Sequence, residues 1–177
     1  MPDFEKFRKI PRLSRNCVIT EKIDGTNAQI MIDEDLNFFV GSRNRWLEEG
    51  KDNHVFLKWA MDHKDELMKL GVGRHYGEWW GEGIQRRYGI KGKRFSLFNT
   101  FRWTEETLPK CCHVVPVLYE GIFDTMAVDM ALNMLDVNGS VASPGFMRPE
   151  GVVIWHESGR VYFKKTIKDD EQPKSLI

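Results

Sequence analysis

Short strand-forming runs, each closed by a turn signal, succeed one another along this chain and give way to helical spacing in only two places. No other feature constrains the fold as tightly, because isolated strands must pair to satisfy their backbone groups. Runs of this kind occupy 17–20, 27–32, 75–80, 94–99, 113–120, 151–156 and 160–165. A turn rich in Asp and Asn (33–37) leads from 27–32 into 38–40 and predicts an antiparallel hairpin. Glu157-Ser158-Gly159 separates the last two runs. Residues 53–70 predict a helix, with Asp52 capping its start and Gly71 just past its end. Phe56, Trp59, Ala60, His63, Leu67 and Leu70 recur on one face of it. A second helix is predicted over 126–135, capped by Thr125 and closed by Asn138-Gly139. Strands broken by two helices imply an α+β fold of two mainly antiparallel sheets, with flanking helices on the outer faces and a ligand groove between the sheets.

At 177 residues the chain suits a single domain over 1–177, with no boundary before the charged tail at 168–174. No apolar run reaches bilayer-spanning length, and Met1-Pro2-Asp3-Phe4-Glu5-Lys6 lacks a signal-peptide pattern. Three cysteines, two of them adjacent (Cys111-Cys112), do not make a disulfide framework, which fits a reducing, cytoplasmic setting. His54, His63, His75, His113 and His156 lack zinc-ligand spacing and read as structural. Lys plus Arg equals Asp plus Glu at 26 each, so the chain is no polycation, and contact with nucleic acid must come from a local patch.

Four separated stretches carry the chemistry: Glu21-Lys22-Ile23-Asp24-Gly25-Thr26-Asn27, Tyr76-Gly77-Glu78, Pro149-Glu150-Gly151-Val152-Val153 and Phe163-Lys164-Lys165. Lys22 closes one strand, and Gly25 beside it permits close backbone approach to a ligand, while Asp24, Thr26 and Asn27 offer hydrogen-bonding groups. A lysine nucleophile must be neutral, and burial with nearby positive charge lowers its pKa from about 10.4. Alternation along 75–80 puts Tyr76, Glu78 and Trp80 on one side, with Gly77 and Trp79 on the other. A carboxylate among aromatics is costly unless a hydroxyl, cation or metal meets it. Glu150 stands at the lip of an apolar strand. On the last strand Lys164 and Lys165 point to opposite faces; Lys164 is taken first and Lys165 second as the phosphate-facing group. Arg86-Arg87-Tyr88-Gly89 and Lys91-Gly92-Lys93-Arg94 form the densest basic run and the expected polynucleotide contact.

In this order the set resembles the covalent nucleotidyltransferases, and most closely the ATP-dependent RNA ligase family, over roughly 17–168. The resemblance implies ATP and a divalent metal, Mg²⁺ or Mn²⁺, giving a Lys22–AMP adduct. AMP then passes to a 5′-phosphate end, which a 3′-hydroxyl of the RNA attacks. It further implies that Glu21, Ile23, Asp24, Gly25 and Asn27 line the nucleotide site and that Glu78 holds the ribose. Arg43, with Arg45 as helper, would contact phosphate or sugar, and Phe98 would stack on the purine, a contact worth roughly 1–3 kcal/mol. Glu150 would bind metal, and Lys164 or Lys165 would act on the α-phosphate. Two departures stand out: Asn99 replaces the usual aspartate after the aromatic, and Lys164-Lys165 replaces Lys-x-Lys. An appended OB-fold is not expected, so a partner protein or structured substrate would supply its role to a monomeric core. DNA nick sealing, GTP-dependent capping and a non-catalytic module that binds nucleic-acid ends are the alternatives.

Overall fold

A computed structural model describes residues 1–171. Regular structure begins with β1 (Asn16–Lys22), β2 (Thr26–Ile32) and β3 (Phe38–Ser42). Next come α1 (Phe56–Asp62), α2 (Lys64–Leu67) and a 3₁₀ turn at Met68–Leu70. The remaining elements are β4 (Gly73–Gly81), β5 (Lys93–Leu97), β6 (Cys112–Val114), β7 (Val117–Ile122), α3 (Thr125–Asn138), β8 (Gly151–His156) and β9 (Val161–Thr166). They form a four-stranded sheet in the order β7-β1-β8-β9 and a five-stranded sheet in the order β3-β2-β4-β5-β6. Among the described residues only the β5–β6 pair is parallel. The expected α+β architecture is the one observed. The charged tail beyond residue 171 lies outside the described residues.

Each sheet buries one face under a helix. On the five-stranded sheet Ala28, Ile30, Trp79, Phe95 and Leu97 pack against Phe56, Ala60 and Leu67. Ring contacts of 5.1 Å for Phe56–Phe95 and 4.9 Å for Trp59–Trp79 tie α1 to β4 and β5. On the four-stranded sheet Cys17, Ile19, Val152 and Ile154 meet Val128, Ala131 and Leu135, one stripe of α3 at helical spacing. The opposite faces turn toward each other, and a third cluster of Ile23, Trp80, Tyr88 and Val115 joins them.

Where the structure departs from expectation, local geometry explains it. The predicted strand over 113–120 splits into β6 and β7, which lie in different sheets. Pro116 has no N–H to continue a ladder. Val115 N–H still donates to Leu97 of one sheet, while the Pro116 carbonyl accepts from Glu21 N–H of the other. The predicted helix over 53–70 starts only at Phe56, because Val55 sits at φ 61°, and it breaks at His63, where φ is −112°. Asp52 nevertheless caps it, accepting from Leu57 N–H at 2.7 Å and Lys58 N–H at 3.1 Å. Thr125 lies inside α3; the cap is Asp124, extended at φ −146°, whose carboxylate accepts from Met126 N–H at 2.9 Å. No helix among the described residues is long and apolar enough to cross a membrane.

Candidate active site

The end of β1 meets the start of β8, where Lys22 pairs with Gly151, so the side chains of Lys22 and Glu150 converge at the mouth of the groove. Lys22 Nζ stands 2.6 Å from Glu150 Oε2, with the Glu150 side chain 2% exposed. An ion pair this short offsets the desolvation of a buried carboxylate. Gly151 is required by close packing, since a Cβ there would lie 2.2 Å from the Lys165 carbonyl on β9.

Glu78 comes from the other sheet. It accepts from Gly25 N–H at 2.9 Å and from Asn27 Nδ2 at 3.1 Å. Burial pushes its pKa up to about 7; the Gly25 hydrogen bond and the Lys22 charge oppose the rise, while Glu150 and Asp24 reinforce it. The carboxylates of Glu78 and Glu150 thus approach one lysine from two sheets.

The segment 23–25 that carries the chain between sheets is held from several sides. Asp24 N–H donates to the Tyr88 hydroxyl at 2.8 Å, and Arg86 Nε donates to the Asp24 carboxylate at 2.9 Å. Ile23 is buried in the third cluster, so its side chain serves packing. A Cβ on Gly25 would lie 2.4 Å from the Trp79 carbonyl and 2.7 Å from Trp80 Cβ. The close approach permitted by Gly25 is therefore to β4. Glu21 turns to the opposite face of its sheet and is buried. Its carboxylate accepts from Ser140 Oγ at 2.6 Å and from the N–H groups of Val141 and Ala142, each at 2.8 Å. Burial raises its pKa against these three hydrogen bonds. Its side chain clamps the loop after α3, away from the groove.

Strand register separates the two candidate lysines. Lys164 pairs with Val153, itself paired with Thr20, and so shares the face of Lys22. Lys165 pairs with Val152 on the α3 face, where its Nζ lies 2.7 Å from Asp129. Arg43 and Arg45 are exposed at the turn after β3. Phe98 extends β5, its N–H donating to the Tyr76 carbonyl, and packs at the edge of the third cluster. Alternation from Ser96, which pairs with Glu78, puts Phe98 on the groove face. Asn99 Oδ1 accepts from Arg102 N–H and stabilises a turn. Within the basic run the structure divides the residues: Tyr88 is buried, Arg86 is paired with Asp24, and Arg87 is exposed. Among the described residues no group of three or more His, Cys, Asp and Glu is placed to hold a metal.

A cavity of ≈ 450 Å³ lies one strand over from Glu78, with Trp80, Ser96, Val115 and Ala142 in its wall. Sequence reasoning missed Ser140–Ala142 as the partners of Glu21 and Tyr88 as the anchor of Asp24. The first lies more than a hundred residues from Glu21 and leaves no local signal; the second is visible only as an aromatic inside a basic run.

The family model described as RNA ligase matches residues 15–168. The chain belongs to the RNA ligase family. Solved RNA ligases of Naegleria gruberi share the fold. A mutant solved without ligand is 23% identical, with a TM-score of 0.64 over 86% of this chain and 50% of that one. A mutant solved with AMP and Mn is 23% identical, with a TM-score of 0.64 over 86% and 49%. A third, solved with ATP and Mn, is 22% identical, with a TM-score of 0.66 over 88% and 51%. The chain therefore spans about half the length of these structures. The curated protein sequences contain no match to it. Within this RNA ligase family member, the family match takes in all four motif stretches, from Lys22 to Lys165.

Proposed function

We propose that this chain is the nucleotidyltransferase core of an RNA ligase and that Lys22 is its covalent nucleotide acceptor. One observation carries the reading: Lys22 Nζ lies 2.6 Å from buried Glu150, on the strand face that it shares with Lys164. In the proposed step the Lys22 ammonium releases its proton to water, which the positive charge of Lys164 on the same face favours, and the neutral amine attacks the α-phosphorus of ATP. The N–P bond forms, the P–O bond to pyrophosphate breaks, and AMP stays on Lys22. Lys164 approaches the α-phosphate oxygens from the same face and offsets their developing charge. Glu78, held by Gly25 and Asn27, is the acceptor for the ribose hydroxyls, and Phe98 is the stacking surface for the base.

Glu150 is a hard oxygen donor and fits a Mg²⁺ or Mn²⁺ ion that takes one protein carboxylate plus phosphate oxygens and water. Such an ion supplies charge neutralisation at the phosphates. The solved relatives with ATP or AMP and Mn support this choice of nucleotide and metal. AMP transfer to a 5′-phosphate end and sealing to a 3′-hydroxyl complete the proposed cycle, with RNA as the substrate that family membership favours.

Labelled ATP or GTP, incubated with the protein and a divalent metal, tests the reading on the denatured chain. ATP-derived label that disappears in Lys22→Ala is expected. Label that persists in Lys22→Ala refutes the nucleophile. Label from GTP alone points to capping chemistry, and no adduct at all points to a non-catalytic module. Nicked RNA and DNA duplexes, compared under the same conditions, decide the polynucleotide.

A further inference from the structure

The loop between β4 and β5 is closed at its base by paired bonds: Glu82 N–H donates to the Gly92 carbonyl and Gly92 N–H to the Glu82 carboxylate. Inside it Gln85, Arg87 and Tyr88 all adopt positive φ, at 42°, 62° and 51°. Side chains other than glycine pay for that conformation, and it persists only where the surroundings over-determine it. Tyr88 provides the constraint. Its ring is buried, its hydroxyl accepts from Asp24 N–H at 2.8 Å, and its carbonyl accepts from Ser143 Oγ at 2.8 Å. The same ring packs on Phe146 at 4.6 Å, and the Arg148 guanidinium lies 5.9 Å from the Phe146 ring centre. Tyr88 therefore organises two arginines from distant parts of the chain.

Together with Gln85 and Arg86, those arginines line a cavity of ≈ 460 Å³. Asp24 balances one of the three guanidinium groups, through Arg86 Nε at 2.9 Å. The cavity flanks the reactive centre on both sides in sequence: Asp24 lies two residues after Lys22, and Arg148 two residues before Glu150. Arg86 also donates from Nη1 to the Arg148 and Pro149 carbonyls, so Arg87 and Arg148 are the guanidinium groups that the cavity offers to a ligand; planar guanidinium forks match phosphate oxygens. We infer that the cavity lined by Gln85, Arg86, Arg87 and Arg148 is a phosphate-binding site beside Lys22. In a neutral chain it provides the local positive patch that a polyanionic ligand requires. The phosphate comes either from the polynucleotide strand or from the triphosphate tail of the nucleotide, and naming these two sources rests on the nucleotidyl-transfer reading above.

The double variant Arg87→Ala/Arg148→Ala, made in the full chain, is compared with wild type by two measurements. One is the rate of Lys22 adduct formation against ATP concentration. The other is fluorescence anisotropy of a 5′-phosphorylated oligoribonucleotide between about 50 and 200 mM salt. With the strand as source, RNA affinity falls about tenfold at low salt and the slope of log K against log salt drops by about one, while the ATP dependence stays unchanged. With the triphosphate as source, KM for ATP rises and RNA binding does not move. Arg87→Lys/Arg148→Lys restores the salt slope but only part of the affinity, because ammonium keeps the charge without the fork. Unchanged RNA binding together with an unchanged KM for ATP overturns the site. If wild type forms no adduct, the nucleotidyl-transfer reading fails while the RNA measurement still judges the site; uptake of neither probe by wild type overturns both.

Discussion

Replacing Glu78 by glutamine isolates one titration in a protein with many carboxylates. Glutamine keeps the shape and an acceptor oxygen for one of the two donors, Gly25 N–H and Asn27 Nδ2, which bind different carboxylate oxygens, but it carries no charge. In the folded chain, burial lifts the Glu78 pKa from 4.5 to about 7, so the fold binds its proton more tightly than the unfolded chain does. The sign follows from linkage: stability from this group is complete below pH 4.5 and is lost as pH rises through about 7. At about 1.4 kcal/mol per tenfold change in proton affinity, the full loss is about 3 kcal/mol. Roughly 2.5 kcal/mol of it falls between pH 5 and pH 8. Urea unfolding of wild type and Glu78→Gln at those two values measures it, because other titrating groups cancel in the difference. The variant should gain about 2.5 kcal/mol on wild type on going from pH 5 to pH 8. A stability difference that stays constant within about 0.5 kcal/mol would refute the claim that this carboxylate ionises against its burial.

Lys164→Ala should slow adduct formation about a hundredfold or more, whereas Lys165→Ala, which breaks only an exposed pair with Asp129, should change neither adduct rate nor stability beyond about 1 kcal/mol. Equal losses in the two variants would contradict the register assignment. Glu21→Ala strands the Ser140 hydroxyl and two backbone N–H groups and should destabilise the fold by about 3 kcal/mol or more in chemical denaturation. A variant of wild-type stability with weakened nucleotide binding would return Glu21 to the nucleotide site. Gly25→Ala drives a Cβ against the Trp79 carbonyl and should cost about 1–3 kcal/mol, read as a lowered Tm even without ligand.

Local pattern made much of the molecule legible. Alternation assigned Trp79 and Trp80 to opposite faces of β4, and they fall in different clusters. A helix was expected where α3 lies, the face read over 53–70 buries Phe56, Ala60, Leu67 and Leu70, and Gly71 and Gly139 closed their helices at φ 75° and 83°. These features depend on neighbours within a few residues, where propensity and periodicity act. Helix starts were less legible, because capping at Val55 and Asp124 turns on backbone angles that several nearby residues could adopt.

The site divides along the same line. Residue type and order in the sequence were enough to single out Lys22, Glu78 and Glu150 as candidates. Which side chains meet was decided by long-range register. Pairing of β8 with β9 sends Lys164 to the Lys22 face and Lys165 to Asp129, a choice of one residue that no local signal contains. The same register turns Glu21 away from the groove onto a loop more than a hundred residues distant, and it brings Tyr88 under Asp24. A strand's own sequence sets its alternation, but only its partners decide which face is the groove, because the faces differ solely in what the rest of the chain packs against them.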